Sequence, residues 1–199
     1  MGPCPWRPYN SKYVQGGWRG FTDFHGGGIL EWGSHCVDMC QWANNADDTV
    51  PVEYYPIGDD GRAGARYANG VKLVLRHDDW LPLGSCPVRF EGDTGWVETG
   101  DGGSIRCHPE SLQTERNRLA EKGTHPAQHT RNFFDCIRSR KPAASNPDVM
   151  RHSHLACHAA AIAWMLGRKV TIDPATETFI DDDEANRMRA WAKREPWRA

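Results

Sequence analysis

The sequence predicts an α+β fold with a largely antiparallel sheet, on two observations. From Val50 to Cys107, short runs of β-branched and aromatic residues (VPVEYYPI, VKLVLR, CPVRFEG, TGWVETG and SIRC) are broken by Gly and Asp, the pattern of an antiparallel sheet or meander. Outside that block apolar residues recur at helical spacing, over Glu31 to Asn44 before it and over Ala127 to Arg140 and Asp148 to Leu166 after it.

In the first helix Leu30, Val37, Cys40 and Trp42 or Ala43 carry the period, and Asn44-Asn45 ends it. Within VKLVLR, Val71, Leu73 and Leu75 share one face while Val74 stands on the other beside Lys72 and Arg76, so the second face is expected to be partly covered. Phe133, Ile137, Leu155, Ala159, Ile162 and Leu166 are the expected core positions of the two later helices, and Gly167-Arg168 closes the second. The run VTID predicts one more strand, followed by a short helix near Asp183 to Ala192. The expected organisation is an irregular Pro- and Gly-rich arm at 1–24, an α+β unit at 25–172 and a tail at 173–199.

Composition narrows the partners. A formal charge of −2 gives no general attraction to nucleic acid or to an anionic membrane, so a neutral or small partner is expected. Seven cysteines at irregular spacing, with no CxxC pair, argue against a disulfide framework or a zinc ribbon and point to a reducing, cytoplasmic setting. The longest apolar run, Leu155 to Leu166, is interrupted by His158 and is too short to span a bilayer.

The strongest chemical signal is Glu31, His35 and Asp38, spaced i, i+4 and i+7 and therefore expected on one stripe of the first helix. Carboxylates beside an imidazole orient it and stabilise its cation, which suits it to proton transfer. The glycine run Gly26-Gly27-Gly28 just ahead lets a ligand approach closely. The same spacing also describes an ordinary surface pair worth about 0.2–0.5 kcal/mol, and the residues alone leave both readings open. No metal is assigned to these side chains or to His25, because three ligands on one short helix close a tetrahedron poorly. His152, His154 and His158 read as packing histidines, and His77, Asp78 and Asp79 as a polar turn. GDTGWVETGDGG sits between strand-like runs and reads as hairpin turns, not a phosphate cradle. The triple glycine lacks both the preceding buried strand and the G-x-G-x-x-G spacing of a dinucleotide site.

The segment GGWRGFTDFHGGGILEWGSHCVDMCQWA resembles the start of the C-terminal domain of the Gfo/Idh/MocA oxidoreductases, the glucose-fructose oxidoreductase and inositol dehydrogenase group. NFFDCIRSRKPAASNPDVMRHSHLACHAAAIAWMLGRKVTID and DDDEANRMRAWAKREPWRA are similar to the closing region of one large bacterial branch of that family. The resemblance implies an open sheet with helices packed on one face, its other face available for dimerisation. It also implies Glu31 and His35 as the catalytic pair, with Glu where Asp is usual and His35 as proton acceptor from a substrate hydroxyl. Asp38, Gly27, Gly28, His25 and Trp32 are then expected supporting or substrate-binding residues. NAD(P) is implied for full-length members. The Rossmann fingerprint and the lysine of the Glu-Lys-Pro motif are missing from this sequence, so no cofactor is expected on this chain alone and a Rossmann-domain partner is implied.

The expected function is therefore that of the sugar- or polyol-binding, homodimer-forming domain of a truncated or split NAD(P)-dependent oxidoreductase, not redox-competent alone. Two alternatives differ in class: a cofactor-independent hydrolase of a lactone, sugar ester or glycoside using Glu31 and His35, and a non-catalytic oligomeric binding protein.

Overall fold

A computed structural model describes residues 2–59, 62–76, 86–100, 105–115 and 126–198, with the side chains of 113–115 left aside. Strands β1 (Glu53–Ile57), β2 (Arg62–Arg66), β3 (Lys72–Leu75), β7 (Val170–Asp173) and β8 (Thr178–Phe179) form one sheet in the order β3-β2-β1-β7-β8. A second sheet, β4-β5-β6, comprises β4 (Val88–Gly92), β5 (Gly95–Thr99) and β6 (Ile105–His108). Every pairing in both is antiparallel. The helices are α1 (Trp32–Ala43), α2 (Pro126–Ser139), α3 (Pro147–Leu166) and α4 (Asp183–Arg187). The architecture is thus α+β with open antiparallel sheets, as the sequence predicts.

Register explains where the core lies. Tyr54 pairs with Ala65 on one side and Val170 on the other, and Ala65 pairs with Leu73. Side chains of directly paired residues share a face, and these four are all buried. Helix α3 lies against β1 and β2, presenting Ala156, Ala159, Ala160 and Ala163, whose small side chains allow close approach. Its ends are set by sequence: the Asn146 side chain accepts from the Asp148 and Val149 amides, Pro147 fills the first turn, and Gly167 adopts φ 64° at the C-cap.

Helix α1 packs on α3 and is tied down by buried polar contacts. Ser153 Oγ donates to Asp38 Oδ1 at 2.7 Å. Gln41, fully buried, donates to the Ala46 and Thr49 carbonyls at 3.1 and 2.9 Å and accepts from the Tyr67 hydroxyl at 2.5 Å. At the far side, the arm meets the tail: the Arg194 amide donates to the Pro3 carbonyl at 3.0 Å and its Nε to the Gly2 carbonyl at 2.9 Å.

Several expectations are corrected. Strand β2, RAGAR, was not anticipated because it lacks branched and aromatic residues, yet it pairs on both edges. Its small residues have a packing reason, since a Cβ on Gly64 would lie 2.4 Å from the Tyr55 ring. Strand β8 was also unforeseen, and α4 stops at Arg187, short of Ala192. Phe133 and Ile137, expected in the core, are about half exposed because α2 buries none of its residues. Val74 is likewise 48% exposed on the second sheet face. GDTGWVETG does form a hairpin, with Gly92 opposite Gly95. The remainder of that motif, 101–103, and His77, Asp78 and Asp79 lie outside the described residues.

The Gln41 network generates a stability prediction. Gln41→Leu keeps the volume but strips partners from the Tyr67 hydroxyl and two carbonyls, and the unfolding free energy should fall by about 3 kcal/mol in urea titration. A change below about 0.5 kcal/mol would show the network to be dispensable.

Candidate functional site

The glycine run sets the geometry ahead of α1. Gly27 has φ +81°, a left-handed conformation that suits glycine, and its carbonyl accepts from the Leu30 and Glu31 amides. Gly26 is required for a different reason: a Cβ there would lie 1.9 Å from Leu30 Cδ1. The chain therefore turns sharply into the helix, and Glu31 falls at the N-cap position, one residue before α1.

From that position the Glu31 carboxylate points back to the arm. It accepts from Arg19 Nε at 3.1 and 3.3 Å, and its Oε2 lies 3.2 Å from His25 Nε2. The Gly27 amide donates to His25 Nδ1 at 3.2 Å. This network places the imidazole proton of neutral His25 on Nε2, where it is donated to Glu31. The Trp18 ring meets the His25 ring edge-on at 5.2 Å, and the Arg19 guanidinium sits 4.6 Å from the Trp18 centroid. A carboxylate at a helix N-terminus is also favoured by the helix dipole.

The other predicted site residues go elsewhere. His35 is exposed and lies beside Trp32, ring centroids 6.2 Å apart, with no polar partner among the described residues. Asp38 turns to Ser153 on α3. Glu31, His35 and Asp38 thus do not converge on one point, and the acid–imidazole contact that forms is Glu31–His25. The Glu31–His35 dyad that a cofactor-free hydrolase would use is not joined by a hydrogen bond. Arg19 and Trp18 were not singled out in the sequence; no periodic spacing links them to Glu31, because an irregular turn brings them together.

A hollow of about 2000 Å³ opens beside α1, and its glycine end is lined by Arg19, His25, Gly26, Gly27, Gly28 and Trp32. Single small-molecule pockets run to about 300–1,000 Å³, so one sugar would occupy only part of it. Further along, the lining includes His158, whose pKa is lowered by burial and by neighbouring His154. Burial, and then Cys36, pushes the Cys40 thiol up to about 12, and burial first of all does the same for Cys157. His152 binds the Asp47 carbonyl through Nδ1 at 2.9 Å, a packing contact between α3 and the loop after α1.

Over residues 1–199 the sequence matches the family model described as "Oxidoreductase family, C-terminal alpha/beta domain". No curated protein matches the chain.

Gly26→Ala should force Leu30 out of its place and disturb the Glu31 turn, costing about 1–3 kcal/mol by thermal denaturation. An unchanged midpoint would show that this turn is looser than its geometry indicates.

Proposed function

The chain belongs to the Gfo/Idh/MocA oxidoreductase family as its C-terminal α/β domain, and from that premise we propose that it binds a sugar or polyol and dimerises within an NAD(P)-dependent oxidoreductase. The observation that carries this reading is the glycine-floored end of the hollow, where an aromatic ring, a guanidinium and an imidazole line one surface. Aromatic faces suit the C–H faces of a sugar, and polar groups fixed beside them suit its hydroxyls. His35, exposed one turn into α1, is the proposed proton acceptor for a substrate hydroxyl at the rim.

The residues present do not fit a nicotinamide dinucleotide. The described strands pair antiparallel throughout, and the glycine run follows a 3-10 turn at Gly17–Gly20 and an irregular segment where a dinucleotide site needs a buried strand. In this reading hydride transfer depends on a separate Rossmann domain. No helix among the described residues is long and apolar enough to cross a membrane. The odd number and irregular spacing of the seven cysteines are what favour a reducing, cytoplasmic setting in this reading.

Support for dimerisation comes from the sheet face opposite α3. Glu53 bridges Arg66 and Lys169 there, and those partners lower its pKa by hydrogen bonding. Beside this ion network Val74 is exposed and Tyr55 covers Gly64. A mixed face of this kind can pair with its own copy about a two-fold axis.

Titration with D-glucose and myo-inositol, followed by tryptophan fluorescence, should show saturable binding that Trp32→Ala weakens at least about five-fold; lack of any saturable signal from either compound would remove the sugar-binding reading. In sedimentation the chain should run as a dimer and Val74→Arg as a monomer, whereas a wild type that stays monomeric at high concentration would eliminate the dimer.

A further inference from the structure

The carboxylate of Glu31 has an imidazole partner, and that partner is His25. We propose that His25, oriented by Glu31, receives a ligand hydroxyl inside the hollow, a role separate from that of His35. The inference rests on the sugar-binding reading and adds which ring faces the ligand and by which nitrogen.

Position comes first. His25 lines the hollow together with Gly26, Gly27 and Gly28, whereas neither Glu31 nor His35 is among its described lining residues. Glu31 therefore stands behind His25 as seen from the ligand, and acts through it as a positioning residue. The His25 side chain is only 13% exposed, with Trp18 against its ring, so its orientation is fixed before any ligand arrives.

The hydrogen-bond arrangement then selects the chemistry. With Nε2–H directed at Glu31, the lone pair of Nδ1 is the ring's acceptor. It is occupied by the Gly27 amide alone, at 3.2 Å, the long end of the N–H···N range, from a residue just two positions along. A ligand hydroxyl can replace this contact, the Gly27 amide moving back to admit the oxygen, so that the hydroxyl donates its proton to Nδ1 while its oxygen accepts from the amide. Both groups keep a partner, and no bond is left unmade. The space that a Cβ on Gly27 would take is open, which leaves room for the oxygen to approach.

The donors and acceptors decide the ligand class. Arg19 lines this end of the hollow with its Nε engaged by the Glu31 carboxylate, and Lys72, Arg76 and Arg89 also line the hollow. At His25 and Gly27 the wall presents an imidazole acceptor and an amide donor, a match for a ligand hydroxyl.

Imidazole ¹⁵N–¹H correlation spectra of the whole chain test the proposal. In the free protein His25 should show a protonated Nε2 and a pyridine-type Nδ1, and Glu31→Gln should remove that preference. On titration with D-glucose or myo-inositol, whichever binds should shift the His25 Nδ1 signal and leave the packing histidine His152 unmoved. His25→Ala should weaken that binding about ten-fold, the effect of one lost hydrogen bond, with partial recovery in His25→Gln, while His129→Ala, on the exposed helix α2, should change it less than about two-fold. A protonated Nδ1 on His25 in the free protein overturns the inference without reference to any ligand. Binding that survives His25→Ala and is lost in His35→Ala overturns it while the sugar-binding reading stands. If His25 has the expected tautomer but neither polyol moves any resonance, the sugar-binding reading fails and takes the hydroxyl role with it.

Discussion

Helix α1 is held against the rest of the molecule by polar groups that are buried or half-buried. Gln41 closes three hydrogen bonds with Tyr67 and the loop carbonyls of Ala46 and Thr49, and Asp38 takes one from Ser153 on α3. A buried amide is costly when unpaired and directional when paired, so it fixes rotation as well as position. This rotation directs Val37 into the core and leaves Trp32 and His35 in solvent. It also places the N-terminal turn of α1 over the hollow.

Given that anchored helix, the glycine turn decides what Glu31 can touch. A helix that began earlier would have carried the carboxylate up its own side toward His35. The turn at Gly26–Gly28 ends one residue later than the spacing suggests, and the carboxylate folds back onto Arg19 and His25. The result is a small neutral assembly of guanidinium, carboxylate and imidazole, with aromatic rings beside it.

The strand and helix pattern was legible where side chains advertise it. β1, β3, β4, β5, β6 and β7 all coincide with branched or aromatic runs, and α1, α2 and α3 with the helical period. Strand β2 was not legible, because Ala63, Gly64 and Ala65 serve the close approach of α3 and of Tyr55, a demand made by neighbours distant in sequence. The period of α2 correctly announced a helix but not its surroundings: Phe133 and Ile137 form a regular stripe whether or not anything covers them. At the site, spacing picked out Glu31 with His35 and Asp38, with the glycine run just ahead, and His25 was expected only as a supporting residue through the family resemblance. The partnership of Glu31 with His25 and Arg19 depends on an irregular turn, which leaves no periodic trace.

The clasp between Arg194 and the Gly2 and Pro3 carbonyls joins positions up to 192 residues apart. Closing so long a loop is entropically unfavourable, so a contact of this separation forms late, after the sheet and helices have brought the two segments close. The arm it secures is the one that supplies Arg19. One wall of the hollow thus draws on both ends of the polypeptide, Arg19 from the arm and Trp191 from the tail, and trimming back past Arg194 would free the arm there while leaving the hydrophobic centre untouched.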